Sequence, residues 1–394
     1  KYLRDGMPHP LLGKRRPLPK KKPGRRSRKI PPDWFGVLGA SFRNLKEVDL
    51  WMPVNRLIGF CGVSGAGKSS LARGLVKPAV AHAAKTRETV LSGRELLEKG
   101  IVPVGFDQKA PFLKILNGNQ FAKVIEVDQN PIGKTPRSTP ATYIGVWDRI
   151  RMLMSILPEA RVRGLAPGAF SFNVKGGRCE TCKGAGKVKL EMNFLPDAYV
   201  TCEVCNGFRY GEEMLSLRWR EKNVAEILDL SFSEAAEFFF FDRKLKAVMD
   251  LMVETGLGYL ELGQSSPTLS GGEAQRVKLV SELSKGVATG KTVARNTASP
   301  QRGNLYLLEE PTIGLHSADC VKLLHLLHRL VDDGHTVVVI EHHLDILADA
   351  DYLVELGPGG GNEGGQILFS GKPEDILKTE ASPTAPHLEK VLRN

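Results

Sequence analysis

Short apolar runs separated by glycine-rich turns and amphipathic stretches set the pattern of this chain. Residues 57–60, 305–308 and 337–340 are almost entirely apolar and rich in residues that favour β-structure. Such runs are typical of buried strands in a parallel sheet. Along residues 319–331 leucines instead recur at the spacing of one helix face. The pattern predicts an α/β fold whose ligand-binding groups lie at the carboxyl ends of parallel strands.

A glycine-rich sequence, GVSGAGKS, follows the first apolar run at residues 62–69 and precedes a helical pattern. Strand, glycine loop and helix in this order are the context of a phosphate-binding loop. Backbone N–H groups of such a loop surround phosphate oxygens, its lysine reaches the β- and γ-phosphates, and its serine hydroxyl binds Mg²⁺. We predict an ATP site here, and its candidate nucleotide-binding residues are Gly62, Ser64, Gly65, Gly67, Lys68, Ser69 and Ser70.

The other two apolar runs end in polar residues that suit the same site. Glu309 and Glu310 follow the second run, and Glu341 and His342 follow the third. At this edge of a sheet one carboxylate can bind Mg²⁺, a neighbouring one can accept a proton from attacking water, and a histidine can contact the γ-phosphate. The alternative interpretation is a solvated glutamate pair and a histidine that caps a helix.

A second phosphate-binding element is predicted at residues 269–276, LSGGEAQR, which lead into an amphipathic helical pattern. Ser270, Gly271 and Gly272 would offer a hydroxyl and free N–H groups at a helix amino terminus. The sequence SGGE resembles the signature motif of ABC-type ATPases, and PTIGLH at residues 311–316 resembles the loop after their second acidic strand. The resemblance adds Gln275 to the nucleotide-binding candidates. It also implies that each ATP is held between two nucleotide-binding domains, of which this chain has one.

Two CxxC pairs predict a metal site between these two motifs. Cys179 and Cys182 are followed, after nineteen residues, by Cys202 and Cys205. Four thiolates form a closed tetrahedral Zn²⁺ site with no position for water, so the predicted zinc is structural. The glycines after each pair also resemble the zinc centre of Hsp40-type chaperones, which leaves a protein-binding zinc ribbon open.

Cations and aromatic residues surround the cysteines. Cations of this kind can contact phosphates, and aromatic rings can stack on exposed bases. The aromatic candidates are Phe194, Tyr199, Phe208 and Tyr210. The candidate DNA-binding cations are Lys175, Arg178, Lys183, Lys187, Lys189 and Arg209.

Charge and composition narrow the class of protein. The formal net charge is +11, and residues 14–29 hold ten lysines and arginines without an acidic residue. That run predicts either a flexible linker or a DNA contact. No apolar stretch reaches the length of a membrane span. The six cysteines suit a reducing compartment, and Cys61 and Cys320 are expected in the core. The chain opens on Lys1, so we expect it to be a piece of a longer polypeptide.

Three further sequences resemble one family, UvrA, the damage-recognition ATPase of bacterial nucleotide excision repair. They are VDQNPIGKTPR at 127–137, FSFNVKGGRC at 170–179 and LGYLELGQ at 257–264. With the motifs above, the resemblance runs from about residue 35 to about residue 376, and it points to the carboxyl-terminal half of UvrA.

The resemblance implies roles for particular residues. Gln129 would link nucleotide state to the inserted domains, Glu310 would be the general base and His342 the switch histidine. Glu309 would bind Mg²⁺ together with Ser69, although the family has aspartate at the position of Glu309. The longer side chain moves the carboxylate by about one C–C bond, and near-octahedral Mg²⁺ tolerates displaced ligands poorly.

The resemblance also implies cofactors and partners. The cofactors are ATP, Mg²⁺ and Zn²⁺. The partners are damaged double-stranded DNA, a first nucleotide-binding domain, a second copy in a homodimer and the helicase UvrB. The location is the bacterial cytoplasm, and hydrolysis acts as a conformational switch for DNA binding and UvrB loading.

The predicted organisation has seven parts. They are a flexible basic linker (1–34), the first part of the ATP-binding core (35–80), an insertion with Gln129 (81–174), a zinc module (175–212), a helical subdomain (213–268), the signature helix with the second part of the core (269–372), and a tail (373–394). Three other functions remain open: an ABC transporter ATPase subunit, a non-hydrolysing DNA-binding scaffold, and a UvrA-like paralogue for resistance to DNA-binding drugs.

Overall fold

The computed structural model describes residues 7–20, 22–25, 30–190, 198–288 and 302–393. The chain divides into two compact units. We call residues 1–128 and 293–394 the core unit and residues 129–292 the insert unit.

The first part of the core unit contains most of its strands. These are β1 (Trp34–Ala40), β2 (Val48–Pro53), β3 (Leu57–Cys61), β4 (Val90–Ser92), β5 (Lys114–Leu116) and β6 (Val124–Val127). The helix after the glycine loop begins with π-type hydrogen bonds over Ser70–Val76 and continues as α1 (Lys77–Thr86). Helix α2 spans Gly93–Glu98, and 3₁₀ turns cover Phe106–Gln108 and Gly118–Gln120.

The insert unit is mainly helical. Its elements are α3 (Pro140–Ile144), α4 (Val146–Ser155), α5 (Pro158–Val162), strands β7 (Lys187–Leu190) and β8 (Ala198–Thr201), α6 (Glu212–Leu215), α7 (Val224–Leu228), α8 (Phe232–Phe238), α9 (Arg243–Glu254), a 3₁₀ turn Ser266–Thr268 and α10 (Gly271–Ala288). Asn223, Ser231 and Asp242 cap α7, α8 and α9 by accepting hydrogen bonds from backbone N–H groups. These caps explain why the predicted helical subdomain contains three separate helices in this region.

The chain then returns to the core unit. This part contains β9 (Leu305–Glu309), α11 (Ser317–Asp332), β10 (Thr336–Ile340), α12 (Leu344–Asp349), β11 (Tyr352–Gly357), β12 (Gln366–Gly371) and α13 (Ala385–Leu392), with 3₁₀ turns at Gly361–Glu363 and Pro373–Lys378. All five residues of β3 and of β10 are buried.

The central sheet has six strands in the order β12-β11-β3-β10-β9-β6. Every neighbouring pair is parallel except β11 with β12. A smaller antiparallel sheet has the order β2-β1-β5-β4. The predicted α/β fold with a buried parallel sheet is therefore confirmed, and the ends of β3, β9 and β10 lie at one edge.

The boundaries differ from the predicted organisation in two places. Residues 81–128 belong to the core unit, because β6 pairs with β9 in the central sheet. The four residues of β6 are too few for their pattern to reveal a strand. The signature helix α10 belongs to the insert unit, not to the second part of the core.

The two ends of the chain also differ from expectation. The predicted tail contains α13, whose Leu388 is fully buried. Residues 7–20 of the predicted flexible linker lie on the core unit. Arg16 donates hydrogen bonds to Asp351 and Asp332, and His9 contacts Asp345 and Asp349. These aspartates offset the positive charge from which the sequence predicts a flexible segment. Residues 21 and 26–29 of the basic run lie outside the described residues.

Within the described ranges, no helix has the length and apolar character that crossing a membrane requires.

Candidate nucleotide and metal sites

The glycine loop lies at the carboxyl end of β3, as the sequence predicts. The ammonium of Lys68 donates to the carbonyls of Gly62 and Val63 at 2.8 and 2.9 Å, so its own loop holds it in place. Gly62 has a φ of 116°, and a Cβ there would lie 1.9 Å from the carbonyl oxygen of Leu356. Only glycine fits this turn.

The core unit brings most of the predicted phosphate-site residues to one open cavity. The predicted residues that line it are Ser64, Gly65, Gly67, Lys68, Ser69, Ser70, Glu310 and His342. Asn44 and Ile340 complete the lining. Residues more than 240 positions apart therefore meet at the edge of one sheet, which is the arrangement that the apolar pattern predicts.

Glu309 lies beside the serine with which it would share Mg²⁺. The Ser69 hydroxyl donates to one oxygen of Glu309, and Arg73 donates to the other at 2.6 Å. Arg73 also pairs with Glu126 on the neighbouring strand β6. Hydroxyl and carboxylate oxygens are ligands that Mg²⁺ prefers, so this pair fits the ion. Arg73 would compete with Mg²⁺ for the Glu309 carboxylate. The sequence motif does not predict this contact.

Glu310 and His342 face each other across the cavity. The distance from His342 Nε2 to Glu310 Oε1 is 3.9 Å. Glu310 has a φ of 44°, and its N–H donates to the carbonyl of Ile340 at 2.8 Å. A left-handed non-glycine residue is strained, and such residues concentrate at functional sites.

The buried carboxylate of Glu341 orients this edge of the sheet. One oxygen accepts from the N–H and hydroxyl of Thr312, at 2.9 and 2.6 Å. The other accepts from the backbone N–H groups of His342 and His343, at 2.9 and 3.1 Å. Glu341 is therefore a positioning residue, because it holds the backbone from which the His342 side chain extends. The sequence places Glu341 at the strand end but does not distinguish this role.

Burial changes the protonation of two groups in the cavity. Burial lowers the pKa of the Lys68 ammonium, and the carboxylates of Glu310 and Glu309 partly offset this effect. Burial and the charge of Lys68 lower the pKa of His342 below its ordinary value. Because an ordinary histidine is already mostly neutral at pH 7, the lowered pKa keeps His342 mostly neutral there.

In the insert unit, the signature motif forms the start of α10. The backbone N–H of Ser270 donates to Glu273 at 2.7 Å, and the N–H of Glu273 donates to the Ser270 hydroxyl at 3.3 Å. This reciprocal pair is a capping box. Gln129 lies against the same turn, because a Cβ on Gly271 would be 3.2 Å from the Cβ of Gln129. Gln275, one turn further along α10, is buried.

The four predicted zinc ligands lie together in the insert unit. Their sulfur atoms all lie within 4.8 Å of one another, with 4.0 Å between Cys179 and Cys202 and 3.7 Å between Cys182 and Cys205. Tetrahedral Zn²⁺ with Zn–S bonds of about 2.3 Å requires sulfurs about 3.8 Å apart. The N–H of Gly186 donates to the Cys182 sulfur at 3.3 Å. The donor set, its spacing and its burial therefore fit a structural zinc ion.

The cysteine thiols of the cluster differ in acidity. Burial raises the pKa of Cys182 and raises that of Cys205 to about 12. Cys179 differs from them. Burial raises its pKa, but hydrogen bonds from backbone N–H groups outweigh this effect and lower the pKa to about 7. Backbone dipoles thus stabilise negative charge at the position where a thiolate ligand is needed. All six cysteines are free thiols.

The predicted DNA-binding cations fall into two groups. Lys175, Lys183 and Lys187 are exposed. Arg178 instead pairs with Glu180, and Arg209 donates to the carbonyl of Gly263 at 2.7 Å while lying over the ring of Phe172. Lys189 is exposed on β7.

The aromatic candidates divide in the same way. Tyr199 and Phe208 are 48% and 43% exposed, whereas Tyr210 is buried and donates to the carbonyl of Phe170 at 2.8 Å. Phe194 lies outside the described residues. Of the three candidates that the structure describes, Tyr199 and Phe208 are therefore available for stacking.

Comparison with known proteins gives close relatives. The chain is 48% identical over 378 residues to UvrABC system protein A of Thermus thermophilus, and 46% identical over 379 residues to that of Haemophilus influenzae. The matches cover 96% and 95% of this chain but 36% of each relative. The chain therefore spans about a third of the length of these relatives. No protein-family model matches the chain.

A solved structure agrees with these relatives. The crystal structure of UvrA2 from Deinococcus radiodurans matches with a TM-score of 0.77 and 37% identity, over 95% of this chain and 41% of that one. The parallel sheet, the glycine loop and the four-cysteine cluster are thus found in a chain that aligns with UvrA along nearly its whole length. The chain belongs to the UvrA family and corresponds to a part of a UvrA protein that makes up about a third of its length.

Proposed function

We propose that this chain is the carboxyl-terminal ATP-binding half of a protein that recognises damaged DNA in bacterial nucleotide excision repair. The observation that carries the proposal is 48% identity with UvrABC system protein A along 96% of the chain. The phosphate cavity of the core unit and the cysteine cluster of the insert unit supply the chemistry that this function needs.

The core unit would bind ATP and hydrolyse it. Lys68 would contact the β- and γ-phosphates, while Ser69 and Glu309 would hold Mg²⁺, which neutralises charge on the phosphates when bound. Glu310 would accept a proton from the attacking water. Neutral His342, 3.9 Å from Glu310, would contact the γ-phosphate and report its loss. Glu310 follows β9 and His342 follows β10, so the positions of these two strands would respond to the nucleotide state.

A complete ATP site would require a second nucleotide-binding domain. The signature helix α10 begins with two glycines, and Ser270 before them caps the helix by accepting a hydrogen bond from Glu273. This amino terminus suits a phosphate presented by an opposing domain. We assign that domain to the remaining part of the longer protein, and we expect two copies to form a homodimer. Gln129, beside Gly271, would transmit the state of the shared site to the insert unit.

The zinc hairpin would contact DNA. Lys183 and Lys187 would bind phosphates, and exposed Tyr199 and Phe208 would stack on bases that a lesion has unstacked. Hydrolysis would then act as a switch that loads UvrB at the lesion in the bacterial cytoplasm. Arg209 is left out of this surface because the carbonyls of the insert unit occupy its guanidinium.

The test uses the 394-residue chain and the same chain with the rest of the protein restored. We expect the restored protein to hydrolyse ATP and to prefer lesion-bearing over undamaged duplex. Glu310→Gln should reduce turnover by about 10²-fold or more while ATP binding persists. Equal affinity for both duplexes would contradict the proposal for DNA damage, and unchanged turnover in Glu310→Gln would contradict the role of Glu310.

One observation favours a second candidate, a DNA-binding scaffold that binds ATP without hydrolysing it. Glu309 is already engaged by Ser69 and Arg73, which are contacts that a Mg²⁺ ion would have to replace. In that case the restored protein would not hydrolyse ATP, and Glu309→Asp would restore hydrolysis. ATP hydrolysis by the unmodified restored protein would exclude this candidate, and a Glu309→Asp variant that stays inactive would exclude Glu309 as the cause of inactivity.

A further inference from the structure

The strongest feature that no motif accounts for is a second glycine-rich loop packed on the phosphate loop. Residues 357–365, GPGGGNEGG, lie at the end of β11 and beyond it. In the core unit they contact the phosphate loop. The N–H of Gly361 donates to the carbonyl of Gly65 at 3.1 Å, and the N–H of Gly365 donates to the carbonyl of Ala66 at 3.0 Å.

Asn44 joins the two loops. Its side-chain amide donates to the carbonyl of Gly65 at 2.9 Å and to the carbonyl of Gly361 at 3.1 Å. The Asn44 side chain also lines the phosphate cavity. One half-buried amide thus bridges segments that lie 21 and 317 positions away in the sequence.

The contact leaves no room for other side chains. A Cβ on Gly360 would lie 2.7 Å from the carbonyl oxygen of Ser64, and one on Gly364 would lie 3.0 Å from the Cα of Ala66. Gly365 has a φ of 80°, and a Cβ there would lie 1.7 Å from the carbonyl oxygen of Asn44. The glycines are therefore required by the close approach of two backbones, not by flexibility.

The orientation of the Gly65 and Ala66 carbonyls affects how the phosphate loop can bind a phosphate. In a trans peptide the C=O and the following N–H point in opposite directions across one rigid plane. The N–H of Ala66 donates to the carbonyl of Val63 at 3.2 Å within the phosphate loop. Holding the carbonyl of Ala66 against the second loop turns the following N–H, that of Gly67, away from the second loop. The Gly67 N–H belongs to the loop that is expected to surround phosphate oxygens.

We propose that Asn44 and the loop at 357–365 form a clamp that holds the phosphate loop in its binding conformation, with Asn44 as a positioning residue for the nucleotide phosphates. The proposal rests on the ATP-binding function proposed above and names residues that no motif of the chain assigns to it. The clamp acts on the backbone of the phosphate loop, so it determines affinity for phosphate groups and does not enter the chemical step.

Three variants separate the clamp from general damage to the fold. Asn44→Ala removes both donors. Asn44→Asp keeps the shape but places a carboxylate against two carbonyl oxygens beside the place for a phosphate. Gly360→Ala pushes the phosphate loop from the other side without touching Asn44. The matched control is Asn362→Asp, which adds the same charge to an exposed position of the same loop.

The experiment titrates a fluorescent ATP analogue and the corresponding ADP analogue into the 394-residue chain with Mg²⁺. We expect Asn44→Ala to weaken ATP binding about tenfold, the size of one or two lost hydrogen bonds. Asn44→Asp should weaken it about a hundredfold, because its charge repels the phosphates, and the loss should be larger for ATP than for ADP. Gly360→Ala should weaken both, while Asn362→Asp should bind like the unmodified chain.

The outcomes distinguish this inference from the proposed function. Lys68→Ala serves as the reference for ATP binding itself. If the unmodified chain binds and Lys68→Ala does not, but Asn44→Asp and Gly360→Ala bind normally, the clamp is wrong and the ATP site stands. Equal loss in Asn362→Asp would also overturn the clamp. If the unmodified chain and Lys68→Ala bind equally weakly, the ATP site falls and the clamp with it.

Discussion

The phosphate cavity and the zinc site are built in opposite ways. The zinc site takes four side chains from 27 consecutive residues, and their spacing alone defines the metal. The phosphate cavity takes backbone and side-chain groups from residues 44 to 342, which only the parallel sheet brings together. A local site can be identified from spacing, whereas a dispersed site depends on contacts that spacing does not encode. The two sites should also fail separately, because each lies within its own unit.

The largest expected effect is at the zinc site. Cys182→Ala should reduce bound zinc from one ion per chain to none, because structural zinc contributes about 10–16 kcal/mol of apparent binding free energy in small modules. Metal analysis measures the zinc, and limited proteolysis should show new cleavage between residues 179 and 209. Cys320→Ala, a buried cysteine of the core unit, is the control and should keep its zinc. Full zinc occupancy in Cys182→Ala would show that the four cysteines do not form one zinc site.

The next effect concerns the buried ion-pair network of the core unit. Asp349 accepts hydrogen bonds from His328, His9 and the N–H of Leu11. Asp349→Ala would leave these donors buried without a partner and should destabilise the core unit by about 3–5 kcal/mol.

Urea unfolding of the core unit measures this change, and the zinc content should stay the same. Asp375→Ala removes an exposed pair with Lys378 and should change stability by about 0–1 kcal/mol. If both variants unfold at the same urea concentration, the network does not stabilise the core unit.

A smaller effect is expected at the predicted Mg²⁺ ligands. Arg73→Gln should release Glu309 and lower the Mg²⁺ concentration needed for half-maximal binding of the ATP analogue. A change of about threefold corresponds to one partly exposed ion pair. Arg94→Gln, which breaks an exposed pair with Glu98, is the matched control. A higher Mg²⁺ requirement in Arg73→Gln would mean that Arg73 supports the site and does not compete for it.

The smallest effect is the pH dependence from His9. Burial lowers the pKa of His9, but hydrogen bonds and charge from Asp345 and Asp349 outweigh it, so the net pKa is raised. The stabilisation is therefore fully present below the ordinary pKa of about 6.5 and is lost as pH rises through the raised value.

Unfolding midpoints between pH 6 and pH 9 measure this contribution. The midpoint of the unmodified chain should fall with rising pH more steeply than that of His9→Gln, whose side chain does not titrate. The same pH profile in both chains would show that His9 is not charged in the folded core unit.

The sequence predicts the parts of the molecule that depend on local patterns. The buried strands β3, β9 and β10 and the cysteine cluster follow from apolar runs and CxxC spacing. The role of Asn44 does not follow from a local pattern. Its partner Gly361 is 317 residues away, and a glycine-rich sequence by itself indicates only a turn. Arg209 was expected to contact DNA because its charge is visible in the sequence, but the carbonyls that bind it are not. The sequence predicts which strand ends meet at the phosphate cavity, but it does not predict hydrogen-bond partners that lie outside the motifs, such as Gly361 for Asn44 and Gly263 for Arg209.

The most direct test of the nucleotide site is binding of Mg²⁺ and a fluorescent ATP analogue to the 394-residue chain. We expect saturable binding that Lys68→Ala weakens by at least about tenfold, since the substitution removes a charged group beside the phosphates. Lys99→Ala, at an exposed position of the core unit, should bind like the unmodified chain. Equal binding by the unmodified chain and Lys68→Ala would contradict the claim that the glycine loop, Glu309, Glu310 and His342 form a nucleotide site.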